Sequence, residues 1–159
     1  MSAERPIDAD EVSDLRSALA VLGRTPGELL VTPEPVDPYL ELAGVYKLAG
    51  AGTPLKPPTR LGPAMMFENV KGYSGVRVAV GVLASRKRTA RLLGSSIESL
   101  PFALLDALEH PVNPIVVPRG EAPCQEVVHA SPLDIRRLLP VPTYTAEDAG
   151  PYFSLGLVW

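Results

Sequence analysis

Few side chains in this sequence are of a type that does chemistry unaided, and their spacing does not group them. The two histidines, His110 and His129, stand nineteen positions apart. A histidine works as a base or a metal ligand only when its surroundings shift and orient it. His110 closes an apolar helical run, where its cation suits the negative end of the helix. His129 sits at the end of a short apolar run. Both are read as surface or end-of-element residues. Cys124 is the sole cysteine, with no neighbour in a nucleophile pattern, and is read as a small buried apolar residue. Ser85-Arg-Lys-Arg88 opens a helix and could hold a phosphate. A run of charges is more simply a solvated face. Glu68 and Asn69 could act as ligands, but beside a glycine-rich turn they are expected to bond its backbone. Glu147 and Asp148 read as a polar turn of the Asx kind, and Met65 and Met66 as core. No phosphate loop, dinucleotide glycine motif, nucleophile elbow or metal cluster is present.

The elements that would carry these residues follow from periodicity. Val12, Leu15, Ala18, Leu19 and Leu22 form one helical face, preceded or opened by Asp8, Asp10 and Ser13 and stopped at Gly23. Glu28–Thr32 is a short strand. Asp37-Pro38 predicts a helix start, with Asp as cap and Pro at the first position. That helix runs through Leu42, Val45 and Leu48 to Gly50-Ala-Gly52. Thr53–Gly62 is a Pro-rich loop carrying Lys56 and Arg60. Ala64–Asn69 and Val76–Leu83 are the strongest strands, joined by Lys71–Gly75. Their pairing is not fixed by pattern alone. Ser85 caps a helix ending at Gly94. Ser95-Ser-Ile-Glu98 fits a capping box before a helix through Phe102, Leu104, Leu105 and Leu108. Cys124–His129 is read as a strand, and Ser131–Asp134 starts a helical turn through Leu139. Helices alternate with strands before position 110 and strands dominate after it, which predicts an α/β or α+β first part and a β-rich second. The expected divisions are an α/β domain at 1–110, a Pro-rich linker at 111–123 and the start of a second domain at 124–159.

Composition sets further bounds. The 159 residues are 46% apolar and 21% charged, ordinary for a globular domain. A net charge of −3 offers no basic field for nucleic acid. No apolar run reaches the length that crosses a membrane. One cysteine makes a reducing cytoplasm the default. Tyr152–Trp159 reads as a strand without a closing turn, so the fold is expected to continue past it, leaving an apolar edge at Phe153–Trp159 that associates or aggregates.

Several segments, in order, resemble one family. Gly62-Pro-Ala-Met-Met-Phe-Glu-Asn-Val-Lys-Gly-Tyr73 resembles the GPALLFENVKGY segment of UbiD-type decarboxylases, and Glu34-Pro-Val-Asp37 its EPVD segment. Ala84–Gly94 is similar to its SRERxAxxLG helix, and Glu126-Val-Val to its KEVV strand. Leu138–Thr143 and Asp148–Tyr152 resemble LPVPxxxxxDAGPY, and Leu155–Val158 the first strand of its flavin domain. The form of the Phe67–Tyr73 segment is most similar to hydroxyarylic acid decarboxylases. The resemblance implies a reversible, non-oxidative decarboxylase of aromatic or α,β-unsaturated acids, working with prenylated FMN, Mn²⁺ and K⁺. It implies an α/β domain beside a split β-barrel flavin domain, homo-oligomers, and a flavin prenyltransferase that supplies the cofactor. The family's flavin and metal motif, and its Arg–Glu–Glu proton network, match nothing in these residues. No catalytic or metal-binding residue is therefore carried over, and Ser154 alone is expected near the flavin. The 159 residues by themselves are expected to be inert. The rival expectations are a free-standing assembly or binding module with a closed apolar surface, and a plain flavin-binding split barrel, for which too few strands follow Pro123.

Overall fold

The computed structural model describes residues 11–52, 57 and 62–153. Helix α1, Leu15–Gly23, begins at a capping box. The Asp14 carboxylate accepts the Ser17 N–H at 2.7 Å, and the Ser17 hydroxyl accepts the Asp14 N–H at 3.0 Å. The cap is thus Asp14 rather than Asp8, Asp10 or Ser13. Val12 lies outside the helix and packs on the core from its loop.

Three short strands follow: β1, Leu29–Thr32; β2, Ala64–Phe67; and β3, Val78–Val80. β1 and β2 pair in parallel, Leu29 opposite Ala64. β2 and β3 pair antiparallel, Phe67 opposite Val78. Val76–Leu83 therefore supplies only three strand residues. The parallel pair needs a crossover, which α2, Glu41–Tyr46, and a wider turn at Lys47–Ala51 provide.

β2 is buried along its whole length, as a central strand covered on both faces must be. Its side chains alternate between two cores. Ala64 joins Ala18, Val21 and Leu22 of α1 and Leu92 of α3 (Arg86–Leu92). Met65 and Phe67 join Val36, Leu42 and Val70 on the other face, beneath α2. Each fully buried Leu or Phe contributes about 1.5–3 kcal/mol, and these two clusters hold the layers together.

The expected cap at Asp37-Pro38 is corrected. The helix begins three residues later, at Glu41, because Asp37 is used in a local turn. Its carboxylate accepts the Tyr39 N–H at 2.7 Å and its carbonyl accepts the Leu42 N–H at 3.0 Å. The Ser95–Glu98 box is displaced as well. Ser96 accepts the Ser99 N–H at 3.1 Å in a preceding turn, and α4 runs Leu100–Glu109 with Pro101 in its first turn.

From Pro101 to Leu139 the chain is almost wholly exposed. α4 is anchored by Leu100, while Phe102, Leu104, Leu105 and Leu108 face solvent. Residues 111–117 make no backbone hydrogen bond with another described residue, and Val112 and Val116 are each 94% exposed. The expected strand at Cys124–His129 is not formed. A single 3₁₀ turn, Pro123–Gln125, overlaps its start, and another, Arg119–Glu121, precedes it. Cys124 is exposed rather than buried. After position 110 the described residues form no strand, only one short helix, α5, Ile135–Leu138, capped by Asp134. A strand needs a partner to satisfy its amides, and the described residues offer none here. The apolar surface is accordingly open along this arm, which is not the closed surface a free-standing module requires. The apolar edge expected at Phe153–Trp159 falls, beyond Phe153, outside the described residues.

Candidate functional site

The two ends of the sheet are built differently. At one end lie the entries to β1 and β2 and the exit of β3. Arg88, fully buried on α3, reaches across it. Its Nε donates to the Glu28 carboxylate at 2.9 Å, Nη1 to the Gly81 carbonyl at 2.7 Å and Nη2 to the Gly62 carbonyl at 2.7 Å. One planar guanidinium thus ties together the starts of two strands and the end of the third, a task its fixed fork suits. Tyr46 lies over Gly81, and burial raises its hydroxyl pKa while the charge of Arg88 partly offsets this. Reading Ser85–Arg88 as a solvated face, or as a phosphate site, is therefore corrected. Arg86 and Lys87 are exposed, but the third cation is a structural clamp.

Ligands of open α/β sheets gather at the opposite end, beyond the carboxyl ends of the strands. The Phe67–Tyr73 loop is there. The parallel ladder is prolonged past β1 and β2 by a bridge between Val36 and Val70. Glu68 and Asn69 are exposed, and they hold this loop through backbone groups. The Glu68 N–H donates to Thr32, and the Asn69 carbonyl accepts from Val36, both at 3.0 Å. Residues 134–153 dock against this end. Thr143 forms a parallel bridge with Tyr39: the Leu40 N–H donates to the Thr143 carbonyl and the Thr143 N–H to the Pro38 carbonyl, both at 3.0 Å. The Tyr73 hydroxyl donates to the Arg136 carbonyl.

Between β3 and the docked segment lies a cleft of about 240 Å³. Arg77 and Val78 line one wall, Pro140, Pro142, Tyr144 and Phe153 the other. Arg77 is the only charged residue in the lining. Tyr144 also stacks on Tyr152, with ring centres 5.0 Å apart, a favourable tilted pair.

Asp148 shapes the cleft wall from a polar turn, as expected, but not one of the Asx kind, because its bonds run back to the preceding residues Tyr144 and Thr145. Its carboxylate accepts the Thr145 N–H at 2.9 Å, the Thr145 hydroxyl at 2.7 Å and the Tyr144 N–H at 3.0 Å. The Thr145 N–H and hydroxyl, then the Tyr144 N–H and the charge of Lys47, hold this carboxyl below the usual carboxylate range. A carboxyl lowered on folding stabilises fully above its unfolded value and loses that contribution as pH falls through the folded one. The Tyr144–Tyr152 pair is therefore expected to persist at pH 5 and loosen only in stronger acid. Asp148→Ala is expected to loosen it at every pH. Near-ultraviolet dichroism of the tyrosines between pH 7 and pH 2 checks both.

Other candidates stay apart. His110 donates locally, its Nδ1 standing 3.1 Å from the Asp106 carbonyl, at the exposed end of α4. His129 is exposed and lies on no strand. Met65 and Met66 are buried core. Among the described residues no three His, Cys, Asp or Glu side chains converge on a metal position. No described helix is long and apolar enough to cross a membrane. Ser154, Lys56 and Arg60 lie outside the described residues. The docking contacts were missed in the sequence, where Thr143 shows only as a residue between prolines and tyrosine.

Residues 22–108 match the 3-octaprenyl-4-hydroxybenzoate carboxy-lyase N-terminal domain family, and residues 115–159 its Rift-related domain. The chain is 40% identical over 154 residues to the gallate decarboxylase of Lactiplantibacillus plantarum, covering 95% of this chain and 31% of the relative. It is 50% identical to the apo 3,4-dihydroxybenzoic acid decarboxylase of Klebsiella pneumoniae, with a TM-score of 0.78, covering 88% of this chain and 29% of that one. An evolved dimeric form of the UbiD-class enzyme HmfF from Pelotomaculum thermopropionicum, solved with prenylated FMN, matches at 33% identity and TM-score 0.73, over 86% of this chain and 29% of its own. The chain thus spans about three tenths of the length of these relatives.

Proposed function

Because this chain belongs to the UbiD carboxy-lyase family, we propose that it is the N-terminal portion of a reversible, non-oxidative decarboxylase of hydroxylated benzoic acids. The observation that carries this reading is the unbroken, same-order match of both family units, 22–108 and 115–159, at 40–50% identity to gallate and dihydroxybenzoate decarboxylases. The overall reaction replaces the carboxylate of an aromatic acid by a proton and releases CO₂. Prenylated FMN, present in the solved HmfF relative, supplies the electron sink for that step.

The described residues hold no converging acidic or imidazole set, so they do not fit Mn²⁺. That ion, K⁺ and the proton-transfer network belong to other parts of the protein. The role of these residues is support. The α/β unit presents the Phe67–Tyr73 loop and the cleft to the unit that follows. Ser154 is assigned the flavin side of that unit, in a split barrel whose strands extend beyond those described. The whole protein is expected to work as a homo-oligomer in the cytoplasm, supplied by a flavin prenyltransferase.

The test is direct. The complete polypeptide, co-expressed with a flavin prenyltransferase, is incubated with 3,4-dihydroxybenzoate and with gallate, and catechol or pyrogallol is quantified. Turnover by the complete polypeptide, and none by residues 1–159 alone, is expected. Turnover by residues 1–159, or a complete polypeptide that binds no flavin and converts neither acid, overturns the proposal.

A further inference from the structure

Leu40 is the one described non-glycine residue with positive φ, at φ 63° and ψ −39°. The Glu41 N–H donates to the Tyr39 carbonyl at 2.7 Å, so Leu40 is the centre of a γ-turn of the rare, strained positive-φ kind. Strain of this sort persists only where surrounding contacts hold it. The contacts here are specific. The residues flanking Tyr39 supply both hydrogen bonds of the bridge: the Pro38 carbonyl receives the Thr143 N–H, and the Leu40 N–H reaches the Thr143 carbonyl. The chain must run extended through Tyr39 to make that bridge, then reverse at once to start α2 at Glu41. The γ-turn is what allows both within two residues.

We infer that the Leu40 γ-turn and Thr143 form a strained latch, which closes residues 134–153 onto the carboxyl end of the sheet and so sets the width of the Arg77–Phe153 cleft. The Asp37 carbonyl to Leu42 N–H bond and the Glu41 carboxylate on the Asp37 N–H brace the turn locally, and docked Thr143 adds the hold that comes from outside it. Relief of that strain on opening lowers the cost of release, so the wall carrying Pro140, Pro142 and Tyr144 can detach without unfolding the sheet. The Tyr73–Arg136 hydrogen bond is the second pin. The latch does not depend on the chemistry proposed above.

The test uses glycine against alanine at position 40, in the complete polypeptide. Both variants lose the leucine side chain, and they differ in their tolerance of positive φ. In ordinary backbone alanine is the more stabilising of the two. At a latched Leu40 the order inverts. The Thr143 amide is expected to exchange with deuterium about fivefold more slowly in Leu40→Gly than in Leu40→Ala. With Thr143→Pro, which removes the N–H given to Pro38, denaturant unfolding is expected to show the ordinary order restored. In the unaltered protein, the Leu40 and Thr143 amides are expected to exchange through one shared opening. Absence of the inversion, its persistence with Thr143→Pro, or amides opening more than about tenfold apart overturns the latch. The last measurement needs no variant and decides the matter even if Thr143→Pro does not fold.

Discussion

Arg88→Ala is expected to remove about 3–5 kcal/mol of stability, the range seen when one partner of a buried ion pair is deleted. The reason is what stays behind. Glu28, with its side chain 5% exposed, would keep a buried charge without its counter-ion. The carbonyls of Gly62 and Gly81 would lose the donors at 2.7 Å that join them to α3. Domains of this size hold a total of about 5–15 kcal/mol, so most of the margin goes. Arg88→Lys keeps the charge but loses the fork, and one ammonium cannot serve three acceptors on different segments. It should fall between wild type and Arg88→Ala. Glu28→Gln retains an acceptor for Nε and is expected to cost less than Arg88→Ala. Urea unfolding of the 159-residue chain, followed by far-ultraviolet dichroism, orders the three. A loss below about 1 kcal/mol for Arg88→Ala would show that the clamp carries no more than an exposed pair does.

Gly81→Ala should act on the same end of the sheet by a different route. Gly81 has φ 73°. A β-carbon there would stand 2.2 Å from the Tyr46 hydroxyl oxygen and 2.6 Å from its Cζ. Two costs add. Holding alanine at positive φ costs about 1–2 kcal/mol, and displacing a packed ring about 1–3 kcal/mol more. The Gly81 carbonyl also receives Arg88, so a shift there strains the clamp. Gly75→Ala separates the two costs. Gly75 has φ 71° but open space where the β-carbon would go, so it should show the backbone part alone. The difference between their urea midpoints, converted through a common m-value, reads the collision with Tyr46. Equal losses would mean that the ring moves aside freely.

Both effects were hidden in the sequence for one reason. A buried cation and an exposed one have the same letter, and Ser85-Arg-Lys-Arg88 gives no sign that one of its three charges points inward. What identifies Arg88 is Glu28, 60 positions away, and the two meet only through the parallel register of β1 and β2 together with the antiparallel return of β3 into α3. Local features were legible. Ser85 caps α3, with the Arg88 N–H reaching its hydroxyl, Gly94 stops that helix at φ 64°, and the strand at Ala64–Phe67 with Met65 and Met66 in the core reads directly from its apolar run. The second half was less legible. Glu126-Val-Val has strand composition, but strand structure depends on a neighbouring strand, which sequence composition does not specify. The Asp37-Pro38 start failed because the carboxylate found a nearer donor in Tyr39. The same competition between local turn and helix appears wherever Asp stands before a helix.

The bare arm after α4 has one further consequence, for how this protein survives synthesis. Val112, Ile115, Val116 and Val117 would, in an uninterrupted run, make a ready template for fibril growth. Pro111, Pro114 and Pro118 break that run into pieces of two or three amide donors. A stacked cross-β ladder needs every donor in register, and proline supplies none. By that rule the prolines are expected to act as gatekeepers, keeping this exposed apolar segment from nucleating amyloid.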